Sequence, residues 1–195
     1  MSCNFNQDFC VAAGETFRPT IRWALDTLVS TPVTAITQAA PAVVTAVNHG
    51  MPDGWPCAVV AAQGMVRINA ARYPPQGSDW TKGTVVDVDT VQLNQISSAE
   101  YLAYTSGGFL VYQRPADLIG VSAKMTIWGT PDENDTPLAM LLSSNGGVLI
   151  DPVAMTLTPV LQTAGLAWQL GYFRFDVTDQ SGAITQLMTG TFAIE

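Results

Sequence analysis

Charged side chains are scarce in this sequence. Asp, Glu, Lys and Arg make up 12% of its 195 residues, against about 25% in an average soluble domain. Such groups normally coat an exposed surface and keep it soluble. Two readings follow: a monomer coated in Ser, Thr and Gln, or a chain whose surface is covered extensively by partner subunits. The composition favours the second. Basic residues are the scarcer sign, eight against sixteen acids, for a net charge of −8. No two of them are adjacent and no cluster forms. Nucleic-acid binding needs several phosphate-neutralising cations on one face, so that class is excluded. Anionic membrane surfaces are excluded on the same ground.

Histidine occurs once, as His49. Any Ser-His-Asp or Cys-His constellation would have to use it. It lies between Asn48 and Gly50, where a side chain bonding the backbone of a turn is the ordinary arrangement. The cysteines are Cys3, Cys10 and Cys57, an odd number without a C-x-x-C spacing, whereas a disulfide framework usually has an even count. They read as free thiols of a protein made in a reducing cytosol; a Cys3–Cys10 bridge has nothing to support it. His, Cys and carboxylates do not fall at zinc-chelating spacing. Two acidic groups, Asp87 with Asp89 and Asp132-Glu133-Asn134-Asp135, lack the paired Gly and Glu positions of a calcium loop and read as solvated turns. Nucleotide-binding and hydrolase motifs are missing too. The sequence therefore implies no catalytic residue, no cofactor and no metal site. The opening MSCNFNQDFC has no basic segment followed by an apolar one, which predicts no signal peptide. The longest charge-free stretch, 27–52, contains Pro32, Pro41, Gln38 and Asn48 and predicts no transmembrane helix.

What is present is apolar residue in short runs. Hydrophobic residues reach 48%, too many for disorder to be the default. Twelve prolines and sixteen glycines are scattered between the runs, a pattern of strands and turns. Phe17, Ile21, Trp23 and Leu25 share one parity with Pro19, while Thr16, Arg18, Thr20 and Arg22 share the other. That alternation predicts a half-buried strand over 16–26, at an edge or bulged at the proline. Further strands are predicted at 43–47, 57–61, 65–70, 84–89, 90–93, 109–113, 121–127, 138–142, 148–151, 154–157, 172–178 and 184–194. In 172–178, Phe173, Phe175 and Val177 point inward. Ser97-Ser98-Ala99-Glu100 has the form of a capping box and predicts a helical turn or two through Tyr104. Residues 158–170 are expected to form a short helix. The spacing of these elements predicts a mainly β chain.

Of the five tryptophans, Trp23 and Trp168 sit in patterned segments and are expected to be buried. Trp55 and Trp80 lie in turns. They either pack locally or, if exposed, serve as interface anchors, because aromatic side chains concentrate at interface centres.

Two resemblances join these observations. Asn48-His49-Gly50-Met51, Gly54, Gln63-Gly64-Met65, Ile68-Asn69, Asp89-Thr90-Val91-Gln92-Leu93 and Ala103-Tyr104-Thr105-Ser106-Gly107-Gly108 resemble, in order, the small β-barrel-like module of phage tail and head–tail proteins. That module is related in shape to the first catalytic-cysteine half-domain (FCCH) of ubiquitin-activating enzymes. Asp53-Gly54-Trp55-Pro56 departs from that family's usual Gly-Asp turn. The flanks, through Gly14-Glu15-Thr16-Phe17, Asp117-Leu118-Ile119-Gly120-Val121, Ala123-Lys124-Met125-Thr126-Ile127, a Gly-Gly hairpin and Tyr172-Phe173-Arg174-Phe175-Asp176, resemble the immunoglobulin-like N-terminal domain of phage baseplate upper proteins. The resemblance implies a discontinuous Ig-like β-sandwich, 1–30 with 114–195, holding an inserted β-barrel-like module at 31–113. The segments 29–32 and 113–115 would be the paired linkers. It further implies a structural component of a bacteriophage virion, in the tail, baseplate or a head–tail adaptor and assembled in the host cytoplasm. As a trimer or hexamer it would hold a fibre, spike or tube partner among the other virion proteins. The alternative is a carbohydrate-binding receptor-recognition module that uses Trp55 and Trp80.

Overall fold

Pro19 breaks the first alternating run. In the computed structural model, which describes residues 5–195 and side chains from Gln7 onward, the expected strand over 16–26 is three separate pieces. Thr16–Phe17 is one strand, Ile21 makes a single bridge to Leu157, and a new strand begins at Ala24. The lost N–H and fixed φ of proline account for the interruption. The protein is mainly β, 48% strand and 5% helix, and the described helical residues are short 3-10 turns. Cys3 lies outside the described residues.

The chain divides into two compact units, Met1–Trp23 with Ala116–Glu195, and Ala24–Pro115. The boundaries differ from the expected 30/31 and 113/114. The stretches 29–32 and 113–115, expected as linkers, are strand, with Tyr112 paired to Val29 and Pro115 to Ala24. Satisfying the backbone groups of both passing segments in one ladder removes the need for loops there. The chain leaves the first unit at Trp23 and returns at Ala116, whose N–H donates to the Trp23 carbonyl at 2.9 Å.

In chain order the strands are β1 (Phe5–Asn6), β2 (Phe9–Val11), β3 (Thr16–Phe17), β4 (Ala24–Pro32), β5 (Ala35–Ile36), β6 (Ala42–Thr45), β7 (Pro56–Gln63), β8 (Thr81–Val85) and β9 (Thr90–Leu93). They continue with β10 (Ser106–Pro115), β11 (Ser122–Trp128), β12 (Ala139–Leu142), β13 (Val148–Asp151), β14 (Thr156–Pro159), β15 (Leu161–Gln162), β16 (Leu170–Thr178) and β17 (Ile184–Ile194). In the first unit a six-stranded sheet runs β1-β17-β16-β11-β12, with β2 also on β17. β1 and β2 pair in parallel with successive stretches of β17. Between them Asp8 accepts from the Thr191 N–H at 2.9 Å and its hydroxyl at 2.7 Å. Those bonds hold the Asp8 carboxyl below its ordinary value.

The inward parity of this sheet is Ala123, Met125 and Ile127 on β11 and Phe173, Phe175 and Val177 on β16, as the alternation predicts. The β13–β14 hairpin and the β15–β3 pair bring Phe17, Val148, Leu157 and Leu161 into the same apolar cluster. Phe17 meets Phe192 edge to face at 4.8 Å. Each fully buried large side chain here contributes about 1.5–3 kcal/mol. Residues 158–170 form no helix: β14 ends and β15 follows in that span. Thr163, expected inside a helix, instead uses its hydroxyl to bond the Ala12 and Glu15 carbonyls and the Gly14 N–H.

In the second unit the sheet order is β4-β10-β7-β8-β9-β6-β5. No hydrogen-bonded barrel closes. The two ends of the order, β4 and β5, are joined through Val33 and Thr34, which donate to Gly108 and Thr45 carbonyls respectively. β7 is buried on both faces: Cys57 and Val59 on one, Ala58 and Val60 on the other. The second face is covered by the 64–80 segment, with Ala70 and Trp80 packed on Ala58, Val60 and Val111. The strand expected at 65–70 is a 3-10 turn, Val66–Ile68. Asn69 then bonds Ala62 on both its N–H and its C=O, at 2.8 and 3.0 Å. One amide side chain thus does the work of a strand partner. The capping-box helix after Ser97 is also missing. Ser98 is buried, and its hydroxyl bonds the Thr37 and Ala39 carbonyls, so it ties down a distant segment and does not cap a helix.

Candidate functional site

Trp55, one of the two expected interface anchors, is 1% exposed. Its Nε1–H donates to the Gln113 carbonyl at 2.8 Å. Of the two readings for Trp55, packing holds and the anchor role falls away: the turn that carries it folds inward and buries the indole in the core of its unit. Trp80 is half-buried against Ala58, Val60 and Val111. Trp23 and Trp168 are half-buried against the core of the first unit.

His49 is buried. Its Nδ1 accepts from the Met51 N–H at 3.0 Å, which leaves Nε2–H to donate to the Asp87 carbonyl at 3.1 Å. The Tyr112 hydroxyl donates to the His49 carbonyl at 2.8 Å. With both ring nitrogens engaged, the imidazole holds a turn. Asp87 accepts from the Asp89 N–H and Asp132 from the Asn134 N–H, each at 2.9 Å. These turn bonds hold both carboxyls below their ordinary value. Among the described residues no group of three or more His, Cys, Asp or Glu is placed to hold a metal ion.

Cys57 is buried between strands, and burial pushes its thiol up to about 12. Only the thiolate is nucleophilic. Peptide mapping after iodoacetamide at about pH 8 is therefore expected to find Cys10, which is exposed, alkylated in the folded protein and Cys57 unmodified until urea is added. Equal labelling of both would contradict the burial of β7.

Two surface features remain. The first is an apolar cleft of about 520 Å³ in the second unit, lined chiefly by Val60, Ala61, Ala70, Ala71, Tyr73 and Phe109, with Ser30 and Arg72 at its margin. Tyr73 is 70% exposed and Phe109 43% exposed. The wall formed by 70–80 is held by Asp79, whose carboxylate accepts from the Gln76 and Ala71 N–H groups at 3.1 and 3.2 Å and pairs with Arg72 at 3.3 Å. The Gln76 bond is the largest cause of its lowered pKa. Beside the cleft runs β4, the end strand of its sheet. It has nine residues, ALDTLVSTP, with Asp26 its one charge. Natural edge strands are usually short or guarded by several charges.

The second feature is a groove of about 430 Å³ on the outward parity of the six-stranded sheet. Lys124, Ser143, Arg174 and Asp176 line it, with Leu142 and Ile184 beside them. Arg174 Nε donates to Asp176 Oδ2 at 2.8 Å, and its Nη1 meets Glu133. The Asp176 bond is the largest cause of the raised Arg174 pKa.

Neither feature was visible as a motif. The cleft gathers residues from four separated segments, and the one available signal was the charge-free stretch 27–52, whose first part lies in β4. The outward parity of 174, 176 and 178 was legible, but not which strand would lie opposite. No helix among the described residues is long and apolar enough to cross a membrane. Comparison with protein-family models and with curated proteins finds no match for this chain.

Proposed function

We propose that this protein is a structural component of a tailed-bacteriophage virion, in the tail, baseplate or head–tail adaptor, acting by assembly with copies of itself and with other virion proteins. The observation that carries the reading is β4: a long, nearly uncharged edge strand beside an apolar cleft holding a half-exposed phenylalanine. An edge presents unpaired backbone groups that another strand can take up, and the cleft offers a seat for that strand's side chains. The scarcity of charge over the whole chain supports coverage by neighbours. The finer description of the fold belongs to the same proposal. The first unit, with apolar residues from two layers in one cluster, is an Ig-like sandwich. The second is a barrel-like module whose terminal strands are joined by the chain. No catalytic role is part of this reading. The alternative of glycan binding through Trp55 and Trp80 loses its first residue to the core.

Native mass measurement tests the proposal. The protein is expected to form a closed oligomer, a trimer or hexamer, and Ser30→Lys is expected to reduce it to a monomer with an unchanged far-UV circular dichroism spectrum, its melting temperature lowered only by the lost association. Ser30 is exposed on β4 at the cleft, so a lysine there places an unpaired charge in the contact at a cost of several kcal/mol while disturbing no core. A wild-type protein that stays monomeric at high concentration would sink the assembly reading. Failure to find the chain in density-purified phage particles would sink the virion reading.

A further inference from the structure

We propose that the outward groove of the six-stranded sheet binds a neutral, hydroxyl-rich ligand, a mono- or disaccharide. In this site Asp176 is the acceptor, and Lys124 and Ser143 are donors. The inference goes beyond the assembly reading and stands on a different unit and different residues.

Asp176 sits on the solvent-facing parity of β16, yet it is 5% exposed. One carboxylate oxygen, Oδ2, is taken by Arg174. The other, Oδ1, is buried and has no hydrogen-bond partner. A buried acceptor left unmade is costly, and each such atom in a folded protein calls for an explanation. Here the atom belongs to a residue that lines a groove, so a donor from a ligand supplies one.

The groove also presents the complementary donors. Lys124 is the register partner of Asp176 on the adjacent strand, so the two side chains rise side by side on one face. The ion pairs found among the described residues do not include Lys124. The Ser143 hydroxyl accepts from the Ala123 N–H at 3.1 Å, which leaves its own proton to give.

Charge selects the class of ligand. Lys124 and Arg174 are balanced by Asp176 and Glu133, the latter two both bonded to Arg174. An anion entering the groove would face the Asp176 carboxylate, and a cation would face Lys124. A metal ion would find one unpaired carboxylate oxygen where it needs several ligands. A hydroxyl group both gives and accepts. One sugar hydroxyl can donate to Asp176 Oδ1 while its neighbour accepts from Lys124 or Ser143. Leu142 and Ile184, the latter 69% exposed, give an apolar bed for the C–H face of the ring. The volume of about 430 Å³ lies at the lower end of small-ligand sites.

The test uses the full chain in two steps. A glycan array containing neutral and acidic mono- and oligosaccharides identifies the preferred glycan. Amide NMR titration then locates it, with inorganic phosphate and a neutral tripeptide as parallel probes. Expected are a neutral glycan among the hits, saturable shifts at 122–124, 142–144 and 174–178, and affinity in the millimolar range. Lys124→Ala, an exposed position that the fold does not need, is expected to weaken binding about tenfold. The proposal is overturned if no neutral glycan binds, if phosphate, acidic glycans or the tripeptide bind the groove more tightly, or if the shifts fall elsewhere. It is overturned equally if Lys124→Ala binds like the parent. Because the readout is ligand binding and not oligomer mass, its failure is distinguishable from failure of the assembly reading.

Discussion

Replacing Trp55 by alanine is expected to destabilise the Ala24–Pro115 unit by about 3–5 kcal/mol, the range for deleting a buried aromatic side chain. The indole is among the largest fully buried side chains among the described residues, so its loss removes transfer free energy and leaves a cavity that the surrounding structure closes only in part. The Gln113 carbonyl also loses the indole N–H. Trp55→Phe separates the two contributions. It retains most of the ring and loses the hydrogen bond, for an expected cost nearer 1 kcal/mol, plus whatever the smaller ring leaves unfilled. Urea unfolding followed by amide exchange within each unit checks both values, since two units need not unfold in one step. With whole-domain stabilities of about 5–15 kcal/mol, the alanine variant is expected to leave this unit marginal. A loss under about 1 kcal/mol would mean that the indole is not in the core.

Gly64→Ala carries the second large effect. Gly64 has φ +77°, and a Cβ built there would lie 2.3 Å from the Ala103 carbonyl oxygen and 2.9 Å from the Thr105 nitrogen. Both obstacles are backbone, and the Thr105 N–H is held by the Gln63 carbonyl at 3.0 Å, so neither can swing aside as a side chain would. The left-handed conformation costs an alanine about 1–2 kcal/mol. Forcing the backbones apart adds about 1–3 kcal/mol. Gly77→Ala is the matched comparator. Its φ is +52°, and nothing lies within 4 Å of the added carbon, so it is expected to show the conformational cost alone. Denaturation midpoints of the two variants should therefore differ by the steric part. Equal midpoints would show that 103–105 yields freely.

The strands whose inward face could be read from sequence are those with one covered and one solvated face. β11 and β16 alternate because Met125 and Phe175 face the core while Lys124 and Arg174 do not. Period-two patterning is a direct imprint of such a sheet. Apart from the run broken at Pro19, three expectations failed where a polar side chain bonds backbone outside its own element. Ser98 looked like a helix cap and bonds Thr37 and Ala39. Asn69 looked like a strand residue and pairs with Ala62. Thr163 lay in an expected helix and closes on Ala12 and Glu15. For Ser98 and Thr163 the partner lies far outside any window of neighbouring residues; for Asn69 it lies seven residues back, but the bond that replaces a strand partner is made by the side chain.

The sequence by itself determined that the chain is mainly β and short of charge, because composition and parity are local properties of the chain. Tertiary structure alone decided that the Trp55 turn folds inward, that β4 stands at an edge beside a cleft, and that Asp176 is covered although its parity faces outward. Burial depends on which remote segment lies over a residue, and alternation names two faces without naming what covers either.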